Sequence, residues 1–184
     1  MKTALLLIDM QKTFRDGSWG LRNNEDAEVN ASYLLDYFRK NNGLIIHVKH
    51  RSEDPLSRFY YKNEGYEFQD LLLPKGDEIV ISKEVNSAFI GTNLKEVLEL
   101  NSISRIVIAG LTAPHCVSTT TRMAANLGYE TILVEDATAS FALIDHTGKE
   151  FSPQDIHDIT LATLHDEFGT IVSTENILSR PLSL

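Results

Sequence analysis

Residues 105–135 read RIVIAGLTAPHCVSTTTRMAANLGYETILVE, and the parsing of that stretch decides the fold. RIVIAG (Arg105 to Gly110) is an apolar run of strand length, and TILVE (Thr131 to Glu135) is another. Between them, His115 to about Leu127 has helical composition, and Gly128 supplies a stop. Neither strand alternates polar with apolar residues, so both are expected to be covered on two faces. Strand, helix, strand in that form predicts a parallel unit.

The same alternation extends in both directions. Thr3 to Ile8 reads as a first strand, Leu44 to Val48 as a second and Glu78 to Ser82 as a third. RIVIAG and TILVE become the fourth and fifth, and Gly169 to Ser173 the sixth. Ala27 to Asn41 carries Leu34, Leu35 and Phe38 on one helical face, with Gly43 as a C-cap, and Asn93 to Leu100 is a short helix. Ser152 is an N-cap, with Pro153 at the first helical position and Asp155 three residues after the cap, for a helix running to about Glu167. The polar, aromatic stretch from Arg51 to Lys75 is too long for a simple connection and reads as a functional loop. The expectation is an α/β three-layer sandwich of Rossmann type, a six-stranded parallel sheet flanked by helices, forming a single domain over 1–184.

Composition narrows the function. The chain has 184 residues, 42% hydrophobic and 23% charged, as in an ordinary globular protein. A formal net charge of −9 argues against nucleic acid or an anionic membrane as partner, because both require clustered Lys and Arg. The longest apolar run, Ala4 to Ile8, is far below a membrane span and meets Asp9 at once, so neither a membrane segment nor a signal peptide is expected. A single cysteine cannot form an internal disulfide, which points to a reducing cytoplasm.

Ligands of open α/β sheets bind beyond the carboxyl ends of the strands. Three reactive side chains fall there: Asp9 after the first strand, Lys83 after the third and Cys116 after the fourth, at a helix start. Each has an ordinary structural explanation: a core thiol, a turn carboxylate, a solvated ammonium. Their coincidence at one sheet edge favours chemistry. A helix N-terminus is expected to lower the thiol pKa and to cradle an oxyanion, with a carboxylate as base and a lysine holding both.

Read literally, HCVSTTTR (His115 to Arg122) has the H-C-x5-R spacing of a tyrosine-phosphatase loop. Such a loop wraps an anion with backbone N–H groups and ordinarily needs glycine inside it. Val117 to Thr121 contains no glycine. It continues as the helical RMAANLGY, so Arg122 would project from a second turn instead of folding over a phosphate.

With those residues in view, the sequence resembles the isochorismatase-like cysteine hydrolases, a superfamily that includes nicotinamidases, N-carbamoylsarcosine amidase and other small-amide hydrolases. The similarity runs through LLLIDMQKTF (Leu5 to Phe14), KEVNSAFIGTNL (Lys83 to Leu94) and VIAGLTAPHCVSTTTRMAANLGY (Val107 to Tyr129). It continues in VEDATASF (Val134 to Phe141) and HDITLATLHDEFGTIVST (His157 to Thr174). It implies Asp9, Lys83 and Cys116 as a catalytic triad, a cis peptide between Leu111 and Thr112, and an oxyanion hole from the Thr112 and Cys116 amides. It also implies Phe14 and Phe89 as pocket walls, and dimers or larger homo-oligomers. Gln11 and His50 complete the expected substrate-binding set, with the alternatives that Gln11 satisfies backbone groups and that His50 is a structural histidine. Trp19 after the first strand, and Tyr60 and Tyr61 in the long loop, are further aromatics able to line an apolar-walled site or to pack in the core or an interface. Pro114 stands where many relatives carry a polar residue and removes one N–H near the nucleophile.

Nicotinamidases carry a metal on an Asp-x-His after the second strand. Here that strand ends HVKHRS, with Val48 in the acidic place, and His47 and His50, three apart, fall on opposite faces. No metal and no other cofactor are therefore expected. Members that cleave the vinyl ether of isochorismate lack the cysteine, so its presence implies thioester chemistry on a small amide or ureido compound. The alternatives are an isochorismatase-type hydrolase of another small metabolite and a non-catalytic binding protein on the same fold.

Overall fold

The computed structural model describes residues 1–179 and 184. Six strands form one parallel sheet: β1 (Lys2–Ile8), β2 (Leu44–His50), β3 (Ile79–Lys83), β4 (Ile103–Leu111), β5 (Glu130–Ala139) and, after a small antiparallel hairpin of β6 (Leu143–Ile144) and β7 (Glu150–Phe151), β8 (Thr170–Val172). Their order is β3-β2-β1-β4-β5-β8. The helices are α1 (Ala27–Lys40), α2 (Leu94–Leu100), α3 (Ser118–Asn126), α4 (Pro153–Leu164) and α5 (Thr174–Ser179).

Strand alternation sends side chains to two cores. Leu5 and Leu7 of β1 and Val107, Ala109 and Leu111 of β4 join Leu34, Leu35 and Phe38 of α1 and Ile177 of α5 on one face. Ala4, Leu6 and Ile8, with Ile106 and Ile108, join Leu94 and Leu98 of α2, Ala124 of α3 and Leu161 and Leu164 of α4 on the other. Both faces are dry, which is why these strands read as unbroken apolar runs. The expected three-layer α/β architecture is present.

Boundaries differ from the sequence reading in instructive places. Lys83 is the last residue of β3, not the first beyond it. The strand expected to stop at Glu135 continues to Ala139, and the helix capped by Ser152 ends at Leu164 instead of Glu167. Gly43 does not take the left-handed cap position: Asn42 does, with φ 53°. Gly43 instead donates to the Phe38 carbonyl at 2.9 Å, and a Cβ there would approach Phe38 Cδ1 to 2.7 Å. No helix among the described residues is long and apolar enough to cross a membrane.

Strand order reverses between β1 and β4, and a crevice at such a switch point is where ligands of these sheets bind. Gly110 makes the close approach there possible. Its φ is 148°, and a Cβ would run into the Ile8 carbonyl oxygen and lie 2.8 Å from the Ile8 nitrogen.

Candidate active site

Four strands deliver one side chain each to the carboxyl edge of the sheet. Asp9 follows β1 directly; its N–H bonds the Val48 carbonyl at 2.9 Å and its φ is 52°, a conformation costly for a non-glycine residue. His50 and Lys83 end β2 and β3 and are direct partners in the ladder, so both side chains point to the same face. Cys116 arrives from β4 through a cis Leu111–Thr112 peptide and a single wide turn over Ala113–Val117, after which α3 begins. The Thr112 carbonyl accepts the N–H groups of His115 at 3.2 Å and Val117 at 3.4 Å, and fixes that turn.

The Lys83 ammonium is the hub. Its Nζ lies 2.8 Å from Asp9 Oδ2, 3.0 Å from His50 Nδ1 and 3.2 Å from Cys116 Sγ. Three N–H donors meet three acceptors, so a lysine only 1% exposed is fully satisfied. Asp9 is 0% and Cys116 8% exposed. Asp9 Oδ1 is a buried carboxylate oxygen with no hydrogen-bond partner, and so it remains free to take a proton.

This constellation coincides with a sequence match: an isochorismatase domain covers residues 3–176. The chain belongs to the isochorismatase family. The isochorismatase family protein YrdC of Bacillus subtilis is 49% identical over 178 residues, 97% of this chain and 95% of that protein. An isochorismatase-family structure from Chromobacterium violaceum superposes with a TM-score of 0.94 at 38% identity, covering 97% of this chain and 92% of the other. More distant relatives include maleamate amidohydrolase of Pseudomonas putida, 25% identical over 97% of this chain and 86% of that protein. The structure of N-carbamoylsarcosine amidase from Thermoplasma acidophilum has a TM-score of 0.75 at 25% identity, covering 96% and 99% of the two chains.

Electrostatics in this isochorismatase-family site correct one expectation. Burial, and then the Asp9 charge, push the Cys116 thiol up to about 12, and Lys83 only partly opposes them. The lowered thiol pKa expected from the helix start is therefore not found: burial and the Asp9 charge outweigh Lys83. Burial also raises the Asp9 carboxyl, although Lys83 pulls the other way. Burial and then the Lys83 charge hold His50 down to about 4, which makes its ring neutral at physiological pH.

Asp9, His50 and Cys116 each offer a metal-type ligand atom, all within 4.8 Å of one another. The Lys83 ammonium already bonds all three groups, so a metal ion would have to displace it. These residues do not fit a resident metal.

The remaining site candidates divide. Gln11 is not available to substrate. Its Nε2 donates to the carbonyls of His50 at 3.0 Å and Tyr66 at 2.9 Å, and its Oε1 accepts the His50 N–H at 2.8 Å. It clamps the end of β2 to the loop over 51–75. Phe14 sits in an aromatic cluster: its centroid is 4.9 Å from Trp19, 5.6 Å from Phe59 and 6.2 Å from Phe141. Phe59 in turn packs on His50 at 4.6 Å, so Phe14 reaches the site through Phe59. Phe89 stacks near Tyr129 at 6.1 Å and packs in the layer that contains Cys116. Tyr60 and Tyr61 pack edge to face on each other, with centroids 5.3 Å apart. Thr112 Oγ1 bonds His115 Nδ1 at 2.9 Å. His47, across the strand from His50, bonds Glu78 Oε2 at 2.8 Å and has no part in the site. Arg122 stacks on Phe168 and bonds Ser118 and Thr163 hydroxyls, so it cannot close a phosphate loop over Cys116. Sequence reasoning missed Gln69, whose amide ties the Gln11 carbonyl at 3.2 Å to Glu28 at 2.9 Å. Nothing local marks that residue, because its partners lie 58 and 41 positions away.

Proposed function

We propose that the protein is a cysteine amidohydrolase that cleaves the C–N bond of a small amide or ureido compound through a thioester, with Asp9, Lys83 and Cys116 as its triad. The observation that carries this reading is a buried ammonium within 2.8 Å of a carboxylate and 3.2 Å of the chain's sole thiol. The two amide-cleaving relatives support the choice of bond.

With the thiol pKa near 12, the resting nucleophile is the protonated thiol. Asp9 takes that proton as sulfur attacks the carbonyl carbon, and Lys83 stabilises the developing thiolate. The oxyanion is received by the amides of Thr112 and Cys116. The N–H groups flanking Cys116, those of His115 and Val117, are taken by the Thr112 carbonyl. Asp9 then returns the proton to the departing nitrogen, the C–N bond breaks, and ammonia or a small amine leaves. Water, deprotonated by Asp9, adds to the thioester, and its collapse expels the Cys116 thiolate, which regains a proton. No step requires a cofactor.

Ammonia release across a panel of linear amides, carbamoyl compounds and a lactam, run with wild type and Cys116→Ala, tests this reading. Turnover of at least one member by wild type and none by Cys116→Ala is expected. An inactive wild type across the whole panel, or an active Cys116→Ala, rejects it.

A further inference from the structure

We propose that His50 is the specificity-determining donor of this site: its Nε2–H reads a neutral hydrogen-bond acceptor on the acyl side of the substrate. Preferred substrates are then small amides bearing a second carbonyl, in place of a carboxylate or a plain alkyl chain. The inference rests on the amidohydrolase reading above.

The tautomer follows from the hub. An ammonium has donors only, so at 3.0 Å from Lys83 Nζ the His50 Nδ1 must be the bare, accepting nitrogen. The ring is neutral, held there by burial and the adjacent ammonium, and its single N–H is therefore on Nε2. Nε2 has no partner among the described residues, yet it is absent from the buried polar atoms left unpaired, which are Thr3 Oγ1, Asp9 Oδ1, His47 Nδ1 and Arg105 Nε. It is therefore a donor that opens onto accessible space, one ring width from an atom 3.9 Å from the nucleophilic sulfur.

The donor is also held rigidly. Gln11 grips the His50 backbone from both sides of the peptide, and Phe59 packs on the ring at 4.6 Å and 33°. A preorganised neutral donor discriminates well between partners that do and do not complete its hydrogen bond.

A neutral acceptor is favoured over a carboxylate by the surroundings. Phe59 leads into the rings of Phe14, Trp19 and Phe141. All three Lys83 donors are occupied, and Arg58 is exposed, stacked on Trp19 at 4.1 Å and bonded to the Ser18 carbonyl. A carboxylate among those rings would lose its hydration without gaining a counter-ion.

Three amides of matched length separate these properties: succinamide with a second carbonyl, succinamate with a carboxylate, and butyramide with neither. Wild type is expected to show the highest kcat/KM on succinamide. His50→Leu should lower that value about tenfold more than it lowers the butyramide value, through KM more than kcat, the loss common to both substrates reporting the acceptor that Lys83 Nζ forfeits. His50→Gln, which offers an acceptor to Lys83 and an N–H to substrate, should restore the preference. Nitrogen-15 NMR of histidine-labelled wild type should show a bare Nδ1 and a protonated Nε2 near neutral pH. A protonated Nδ1, equal losses on succinamide and butyramide in His50→Leu, a preference for succinamate, or no turnover of the trio overturns the inference. Turnover of other amides by wild type but not by Cys116→Ala would meanwhile leave the amidohydrolase reading standing.

Discussion

Lys83 is the residue on which the site's electrostatics turn. Replacing it with methionine leaves the fully buried Asp9 carboxylate without its counter-ion, and breaking a buried pair in this way costs about 3–5 kcal/mol. Urea denaturation of Lys83→Met should show a loss of that size. The Asp9→Asn/Lys83→Met double variant should recover part of it, because no lone charge remains buried; a double variant as unstable as the sum of the two singles would contradict the pairing. Cys116 makes a second prediction at this scale. With burial pushing the thiol up to about 12, alkylation of free enzyme by iodoacetamide should be slow at neutral pH and keep climbing as pH rises. A plateau at or below neutrality would show a thiolate in the resting site. The three triad candidates were legible because each is a reactive type next to a strand end. The thiol's protonation state was not, since it depends on how deeply sulfur is buried among groups drawn from β1, β2 and β3. The role of Gln11 was undecided for a related reason: an amide two residues beyond Asp9 can contact a ligand or satisfy backbone groups, and the partners that decide it lie 39 and 55 residues away.

Among elements, the β1–β4 pair fixes the geometry of the crevice. Gly110 sits opposite Ile8 in that ladder, just before Asp9, with a φ only glycine adopts readily. Gly110→Ala should cost about 1–3 kcal/mol from backbone strain alone. It should also lower turnover disproportionately, because relief of the Ile8 contact displaces Asp9. Thermal unfolding alongside ammonia-release kinetics checks both, and wild-type stability in Gly110→Ala would refute the close approach. Element types and order were readable from apolar runs, but the length of β5 was not. EDATA (Glu135 to Ala139) is polar and looks like a loop. It continues as strand because distant side chains satisfy it: Asn30 donates to the Asp136 carbonyl and Asn24 to that of Thr138, while Asp136 accepts from Thr174. Lys83 closes β3 because its backbone is still paired with His50, a pairing that no property of either residue announces.

Over the whole molecule, acid should be the destabilising direction. Burial holds His47, His115 and His157 below 6.5 and His50 at about 4, so at these four groups the unfolded chain binds more protons than the folded one across that interval, while Asp9, raised by burial, acts in the opposite sense. Stability from the four histidines is complete above 6.5 and is lost as pH falls toward 4. Glu78 extends the trend. Burial opposes its ionisation, but hydrogen bonds from Arg39, the Lys75 N–H and His47 take it down to about 2. Its contribution is present above 4.5 and disappears as pH falls through about 2. Melting temperature should therefore fall in two stages on acidification, and Glu78→Gln should flatten the lower one; a melting temperature constant from neutrality down to pH 4 would contradict the histidine burial. The fold delivers four strand ends to one edge, where the proposed reaction acylates Cys116 covalently. Intact-protein and peptide mass spectrometry of an acid-quenched reaction, using whichever amide the enzyme turns over, measures this directly. An adduct of the acyl mass on the Cys116 peptide, absent in Cys116→Ser or once substrate is exhausted, is the predicted result. Steady turnover with no adduct at any quench time, or with the adduct on another residue, would contradict it.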